Sequence, residues 1–548
     1  MRYRKPKLTF SNTLLEMTDC RPSGRNIGKT SRIFRATIHA MKRLLGLVLV
    51  GALALGGCQR PAKPEPVTLT FGRGADSQKL DPADVDDGES MKVLVNVCEG
   101  LVRFKHGTTE PEPCLATSWT ISPDGLTYTF KLRTGVKFHD GTPLDAPAAA
   151  FSFLRQMDKS NPAHLPDATF AYWSAMFNMI TAVEVVDPMT LRLRLREPNA
   201  PLLASLCIPA GDLISPKFID QRHPVGTGPF RFVDWVPNER ITLDANPDYW
   251  DGKPQIDRLI FKVVPDSSTR LIQLQTGQIQ AMDGIDPNSL PIINADKNLT
   301  LLTAPGLNVC YLAFNCQKPP LDNASLRRII ASAINKKDII EDVYRGAAII
   351  AKNPLPPFVA GYNDAIPVQP PHAIDQILPV FNRPIRLEVM TNPRPYLPNP
   401  LRAAEMIKAD LAKAGIPIEI VPNEWGAHLS RTSHGEHEMA LLGWVGDNGD
   451  ADNFLYVLLD KDTATLGSAL NVCFWMNDAY HDLMIAARRE LDPEKRAALY
   501  RKSQEIVFEE APMVPLAHAQ QLMACRATVS NILFEVNGDI LFQNTTVK

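Results

Sequence analysis

The chain has 548 residues, of which 45% are hydrophobic and 22% charged, and this length exceeds a single core, so two or more lobes are expected. The formal net charge is −2, but residues 1–57 carry eleven Lys and Arg against two acids, so the body that follows is acidic. An acidic body argues against nucleic acid as the partner, and the absence of a run of about 18 apolar residues after Cys58 indicates that the body does not span a membrane.

An export signal is predicted near the N-terminus. Residues 41–57 combine two basic residues with a short apolar run and two small glycines, which is typical of a signal peptide. The sequence ending at Cys58 resembles a bacterial lipobox, which implies lipidation of Cys58. The alternative is an ordinary signal peptide that happens to contain a cysteine. Residues 1–40 are interpreted as a mis-called or disordered extension, and residues 58–66 as a Pro-rich tether.

Strands and helices alternate through the first half of the body. Residues 126–133 alternate apolar and polar side chains between two turn sequences, which indicates a half-buried strand. A helix is predicted over 145–155. Further strands are predicted over 241–244 and 258–264, and a helix over 267–279. Strands that alternate with helices favour the α/β class.

The second half contains a clearer unit. A strand predicted over 385–390 precedes Asn399-Pro400, an N-cap with Pro at the first helical position, and a helix that ends at a glycine. The next strand is predicted over 416–421. This β-α-β order requires the two strands to be parallel. A further apolar strand is predicted over 439–445, and a long amphipathic helix over 492–511.

Seven cysteines follow Cys58, and this odd number leaves at least one unpaired within the chain. No Cys-x-x-Cys occurs, which argues against a zinc or redox pair. Cys98 and Cys114 are predicted to form a bridge across a short loop. Buried free thiols are the alternative for the other cysteines.

Two charged residues follow strands at the end where open α/β sheets bind ligands. Arg394 follows the first strand of the β-α-β unit, and Asp447 follows the further apolar strand. If these strands are neighbours, a cation and an anion face one crevice. That pair suits a zwitterion, with Arg394 for a carboxylate and Asp447 for an ammonium. Tyr396 and Trp425 are candidates for the apolar walls.

Spacing alone leaves other interpretations of these residues open. Arg394 and Asp447 also fit solvated loop charges, which are the more common case. Asp447, Asp450 and Asp452 could instead bind calcium through carboxylate oxygens, although the full loop pattern with a bidentate Glu is absent. The hypothesis that we carry forward is a binding site without a metal.

Motifs of catalysis are absent from the sequence. Neither Gly-x-Ser-x-Gly nor His-Glu-x-x-His occurs. The chain is therefore predicted to be a binding protein without a cofactor, not an enzyme. A lipoprotein hydrolase is the alternative from another functional class.

Longer segments of the body resemble a known family. Residues 115–155, LATSWTISPDGLTYTFKLRTGVKFHDGTPLDAPAAAFSFLR, are similar to the signature of the extracellular solute-binding proteins of family 5, which serve peptide and nickel ABC importers. Further similar stretches follow in the expected order: VGTGPFRF at 225–232, NPDYWDGKPQIDRLIF at 246–261, YLAFNCQKPPLDN at 311–323 and GWVGDNGDADNF at 443–454. The last stretch, with RPY at 394–396, is most similar to the dipeptide-binding subgroup.

The resemblance implies an α/β, two-lobed periplasmic-binding-protein-like fold of type II, with an extra subdomain in lobe one. Lobe one would comprise residues 67–308 and 512–548, and lobe two residues 309–511. The implied function is capture of dipeptides or short peptides for an inner-membrane ABC permease. The protein would be a monomer in the periplasm or on the cell surface, lipid-anchored to the membrane. Alternative cargoes on the same fold are an antimicrobial peptide, haem or an amino acid.

The subgroup also suggests roles for individual residues. The residues that match Asp447 and Arg394 hold the peptide amine and carboxylate, and aromatic residues that match Tyr396 and Trp425 line the pocket. Asp86 lies in a stretch that approaches the ligand in relatives, so it is a further candidate. The sequence departs from the subgroup at Ala451, where Pro is usual, and at Met476, where a disulfide Cys is common; these departures bear on the ligand and leave the fold intact.

Overall fold

The structure is a computed structural model that describes residues 65–217, 220–368 and 381–548. The predicted signal peptide, Cys58 and nearly all of the predicted tether lie outside these residues. Within the described ranges, no helix is both long enough and apolar enough to cross a membrane.

The described residues form a mixed α/β structure. Its strands are β1 Thr68–Arg73, β2 Glu99–Gly100, β3 Val102–Phe104, β4 Pro111–Pro113, β5 Ala116–Ile121, β6 Thr127–Leu132, β7 Ile180–Asp187, β8 Thr190–Leu195, β9 Asp212–Leu213, β10 Phe230–Val236, β11 Arg240–Ala245, β12 Arg258–Val263, β13 Ala281–Asp283, β14 Leu299–Ala304, β15 Asn308–Phe314, β16 Ala348–Ile350, β17 Ile385–Met390, β18 Ile418–Asn423, β19 Met439–Val445, β20 Met513–Ala519, β21 Gln521–Arg526, β22 Val529–Ser530, β23 Leu533–Phe534, β24 Ile540–Leu541 and β25 Thr546–Val547. Its α-helices are α1 Gly88–Leu94, α2 Ala146–Met157, α3 Leu202–Ser205, α4 Ser267–Thr276, α5 Leu290–Ala295, α6 Ala324–Ala333, α7 Lys336–Val343, α8 Pro400–Lys413, α9 Trp425–Ser433, α10 Asp452–Leu459, α11 Asp478–Arg489 and α12 Pro493–Glu510.

Two large sheets organise this structure. One has seven strands in the order β10-β11-β12-β1-β13-β21-β14, and the other has six in the order β16-β20-β15-β19-β17-β18. A separate four-stranded antiparallel sheet, β5-β6-β8-β7, packs against α2 around its own buried cluster. We call the seven-stranded part together with the four-stranded part the first lobe, and the six-stranded part the second lobe.

The predicted β-α-β unit is confirmed in the second lobe. Strand β17 pairs in parallel with β18, and α8 connects the two strands. Asn399 caps α8 by accepting a hydrogen bond from the backbone N–H of Arg402. The second strand begins at Ile418, two residues later than predicted, because Pro417 has no N–H to donate to the ladder.

The chain passes between the two large sheets twice, from β14 to β15 and from β20 to β21. The Asn308 side chain joins the two passages: its Nδ2 donates to the Ala519 carbonyl at 2.9 Å, and its Oδ1 accepts from the Ala519 N–H at 2.8 Å. Gly306 makes this approach possible, because a Cβ there would lie 2.1 Å from the Ala519 oxygen. The two passages are thus held side by side.

The predicted bridge between Cys98 and Cys114 is wrong. Every cysteine within the described residues has a free thiol, and these two are buried. The Cys114 thiol instead donates to a carboxylate oxygen of Glu99 at 3.8 Å. Burial raises the pKa of both thiols well above the usual range. They therefore stay protonated, which suppresses disulfide exchange.

A buried ion pair joins the four-stranded part of the first lobe to the segment after β1. Arg155, on α2, donates to both carboxylate oxygens of Asp81, one of them at 2.8 Å. The two side chains are 3% and 0% exposed. In such a pair each charge compensates the other, so removal of one partner leaves an uncompensated charge in the interior.

We expect Asp81→Ala to lower the free energy of unfolding by about 3–5 kcal/mol, because it leaves the Arg155 guanidinium buried without its counter-charge. Urea denaturation measures the change. Glu184→Gln, which breaks the exposed pair with Arg194 in the same sheet, is the matched control and should leave the transition in place. Equal effects of the two substitutions would contradict the prediction.

Candidate ligand-binding site

The carboxyl ends of three neighbouring strands meet at one edge of the six-stranded sheet. Strand β17 pairs in parallel with both β18 and β19. Trp425 follows the end of β18 by two residues, Arg394 follows β17 by four, and Asp447 follows β19 by two. The structure therefore places three of the predicted site residues at the same edge of one sheet.

Arg394 lies in a tight turn, in which its N–H donates to the Leu397 carbonyl at 3.0 Å and its carbonyl accepts in return. Its guanidinium carbon lies 3.5 Å from the ring centroid of Trp425. Its Nε is buried and has no hydrogen-bond partner among the described residues. No carboxylate of the described chain forms an ion pair with it. The cation is thus oriented by the indole ring, and its charge is not neutralised.

Tyr396 supports the turn from behind. Its side chain is 5% exposed, and its ring covers Gly443 so closely that a Cβ there would lie 2.2 Å from the ring. Its backbone carbonyl accepts a hydrogen bond of 2.7 Å from the Tyr344 hydroxyl. Burial raises the pKa of the Tyr396 hydroxyl, although the positive charge of Arg394 opposes that rise. This tyrosine belongs to the packed support of the site more than to its surface.

Asp447 is held by neutral donors only. The Tyr172 hydroxyl donates to its Oδ1 at 2.9 Å, and Nδ2 of Asn453 donates to its Oδ2 at 3.0 Å. Burial raises the pKa of the Asp447 carboxyl, and these two hydrogen bonds only partly offset that rise. A desolvated carboxylate without a cation favours a positively charged partner.

Comparison with known proteins identifies the family. Residues 110–465 match the bacterial extracellular solute-binding proteins, family 5 Middle. The dipeptide-binding protein of Escherichia coli is 38% identical over 530 residues, which is 92% of this chain and 98% of that protein. The chain belongs to the family 5 solute-binding proteins. Heme-binding protein A of Haemophilus influenzae is a further relative, 39% identical over 80% of this chain and 84% of its own length.

A solved family 5 structure confirms the predicted type II periplasmic-binding-protein fold. The periplasmic binding protein DppA from Helicobacter pylori, in complex with the peptide STSA, covers 88% of this chain and 98% of its own, with 37% identity and a TM-score of 0.73. These relatives are named for what they bind, which agrees with the predicted class of binding protein.

The neighbouring aspartates of this family 5 protein each form an ion pair with an arginine. Arg496 donates to both carboxylate oxygens of Asp450 at 2.7 Å, and Nε of Arg488 lies 3.4 Å from Oδ1 of Asp452. Burial raises the pKa of Asp452 to about 6. The calcium alternative needs these carboxylates free, so the geometry does not support it. Among the three aspartates, Asp447 alone has no arginine partner within the described chain.

The loop that carries Asp447 also touches the first lobe. Besides the Tyr172 bond, Nδ2 of Asn448 donates to the Ser205 hydroxyl at 2.9 Å. Asp86 is exposed and follows β1 of the first lobe, so it belongs to the lobe that carries Tyr172. Asp87 is occupied in capping α1.

Sequence reasoning missed Tyr172 and Asn453. Asn453 belongs to the GDNGDADNF stretch that carries the family resemblance, and its Oδ1 accepts from both the Asp447 N–H and the Trp444 indole. That stretch was therefore a usable signal for it. Tyr172 lies in the aromatic run FAYW, far from Asp447 in sequence, and nothing in its spacing indicates the contact.

We expect Gly443→Ala to lower the free energy of unfolding by about 1–3 kcal/mol, because the new Cβ forces the Tyr396 ring away from the sheet. Urea denaturation measures it. The matched control is Gly426→Ala on α9, where a Cβ meets nothing within 4 Å and the change should stay within about 1 kcal/mol. A stability equal to that of the unmodified protein would contradict the close packing of Tyr396.

Proposed function

We propose that this family 5 protein captures dipeptides or other short peptides with free termini. The observation that carries the proposal is a pair of opposite, unneutralised charges on neighbouring strand ends. Neither Arg394 nor Asp447 forms an ion pair in the described part of the chain, although both are partly or largely shielded from water.

A zwitterion complements these two charges. Arg394 presents a planar fork that binds a carboxylate through two parallel hydrogen bonds. Asp447 keeps lone pairs for an ammonium, since Tyr172 and Asn453 each use only one position on its two oxygens. Trp425, against which Arg394 stacks, supplies an apolar face next to the carboxylate end.

The names of the relatives support this ligand class. The Escherichia coli relative is named a dipeptide-binding protein, and the Helicobacter pylori structure holds a tetrapeptide. The Haemophilus relative is named for haem, so haem is the second candidate cargo. Mass spectrometry of the ligand that co-purifies with the protein, together with its visible absorption spectrum, distinguishes a peptide from haem. Only haem absorbs strongly at about 400 nm.

Delivery and location follow from the same proposal. We infer that the protein is exported through residues 41–57, anchored to the membrane by a lipid on Cys58, and docks as a monomer on an inner-membrane ABC permease without catalysing a reaction. The signal-peptide pattern over 41–57 and the lipobox-like sequence at Cys58 support this inference.

We expect Arg394→Ala and Asp447→Asn each to weaken dipeptide binding by about 2–5 kcal/mol, because each leaves one charged end of the ligand without its partner. Isothermal titration calorimetry measures the affinity. Arg402→Ala, which removes an exposed cation of α8 paired with Asp342, is the matched control and should bind as the unmodified protein does. N-acetylated and C-amidated dipeptides should lose affinity as well. Unchanged affinity in both site variants would overturn the proposed function.

We expect Cys58→Ala to abolish lipid attachment, so that the variant moves from the detergent phase to the aqueous phase in phase partitioning, since one lipidated cysteine carries the anchor. Cys207→Ala, which removes a half-buried free thiol of the body, is the matched control and should partition with the unmodified protein. An unmodified protein found in the aqueous phase would contradict the predicted anchor.

A further inference from the structure

Tyr172 reaches across from the first lobe to the carboxylate proposed to bind the ligand ammonium. It lies between α2 and β7, whereas Asp447 follows β19 of the second lobe. Their hydrogen bond of 2.9 Å therefore joins the two lobes at the site itself. The Tyr172 side chain is half-buried, and burial next to this carboxylate raises the pKa of its hydroxyl, which keeps the hydroxyl protonated and able to donate.

The backbone next to Tyr172 is strained. Phe170 has φ 41° although it is a bulky residue that is 3% exposed, and residues Trp173–Phe177 form a π-helical turn. Both conformations are uncommon and persist only where surrounding contacts hold them, and both are frequent at functional sites. The strained segment brackets Tyr172 on both sides.

A buried carboxylate of the first lobe holds this strained segment. Oδ1 of Asp84 accepts from the N–H of Thr169 at 2.6 Å and from the N–H of Phe170 at 3.3 Å. Its Oδ2 accepts from Lys79 and from Gln221, and the Asp84 side chain is fully buried. The direction of Tyr172 is thus set by the first lobe.

The strength of the bond between Tyr172 and Asp447 depends on the charge of the Asp447 carboxylate. Among the described residues, the side chains that bond Asp447 are the Tyr172 hydroxyl and the Asn453 amide, so no cation compensates the carboxylate. Without compensation, burial favours the protonated acid. A ligand ammonium would keep Asp447 ionised, and hydrogen bonds to an ionised acceptor are about twice as strong as neutral ones.

We propose that Tyr172 is a positioning residue that couples recognition of the ligand ammonium to closure of the two lobes. The inference rests on the proposed function and deepens it. The ammonium strengthens the bond between Tyr172 and Asp447, and this bond holds the lobes together over the ligand. Because coupling between two equilibria is reciprocal, the Tyr172 bond strengthens ligand binding by the same factor.

The test is Tyr172→Phe, which removes one hydroxyl and keeps the ring. We expect dipeptide affinity to fall about ten- to a hundredfold, mainly through faster dissociation, as for loss of a hydrogen bond to a charged group. Calorimetry and stopped-flow measurements give the two quantities. Tyr128→Phe is the matched control: it removes a buried hydroxyl that donates to the Asn199 carbonyl in the same lobe, and it should leave affinity unchanged.

A pH profile separates this role from a structural one. Affinity falls as pH falls, because protonation of Asp447 removes the charge that the ammonium needs. The Tyr172 hydroxyl favours the ionised carboxylate, so its removal raises the pKa of Asp447. The pH at which half the affinity is lost should therefore move upward in Tyr172→Phe and stay in place in Tyr128→Phe. In an Asp447→Asn background, Tyr172→Phe should cause a smaller loss of dipeptide affinity than it causes in the unmodified protein.

The outcomes distinguish this inference from the proposed function. If Tyr172→Phe keeps the unmodified affinity and pH midpoint while Arg394→Ala and Asp447→Asn lose binding, the coupling is overturned and the peptide site stands. If the unmodified protein binds no dipeptide, both are overturned. A drop in affinity with an unmoved pH midpoint would assign Tyr172 a merely structural role and also overturn the coupling.

Discussion

The parallel pairing of β17 with both of its neighbours is the constraint on which the site depends. Parallel strands end at one edge, so the loops after β18, β17 and β19 must meet there, whatever their sequences. The cation of Arg394 and the anion of Asp447 come from different loops, yet both loops leave the sheet at this shared edge. An antiparallel β17 would send Arg394 to the opposite end of the sheet.

The rest of the loop after β19 is arranged so that one charge stays available. Asp450 and Asp452 are bound by arginines of α12 and α11, and these bonds fix the loop against the helices. Asp447 receives only neutral donors from Tyr172 and Asn453. These two buried carboxylates are thus paired with cations of their own lobe. Under the proposed function, the unpaired charge at Asp447 costs stability in the free protein, and a bound cationic ligand would restore that stability.

The sequence was informative where local chemistry decides the structure. An N-cap, a proline and a glycine define α8, and apolar runs define its flanking strands, so the order of elements and the position of Arg394 could be predicted. Tyr172 could not, because 275 residues separate it from Asp447 and its direction depends on a strained turn at Phe170. The error at Cys98 and Cys114 has a related cause: spacing suggests proximity, whereas packing decides which way each thiol points.

The paired passages between the lobes have a mechanical consequence. Because Asn308 bonds both the N–H and the carbonyl of Ala519, the two connecting segments cannot slide past each other. A hinge motion of the lobes would then have to bend both segments together. Small backbone rotations near Gly306 would swing the distant rims of the lobes through a much larger arc.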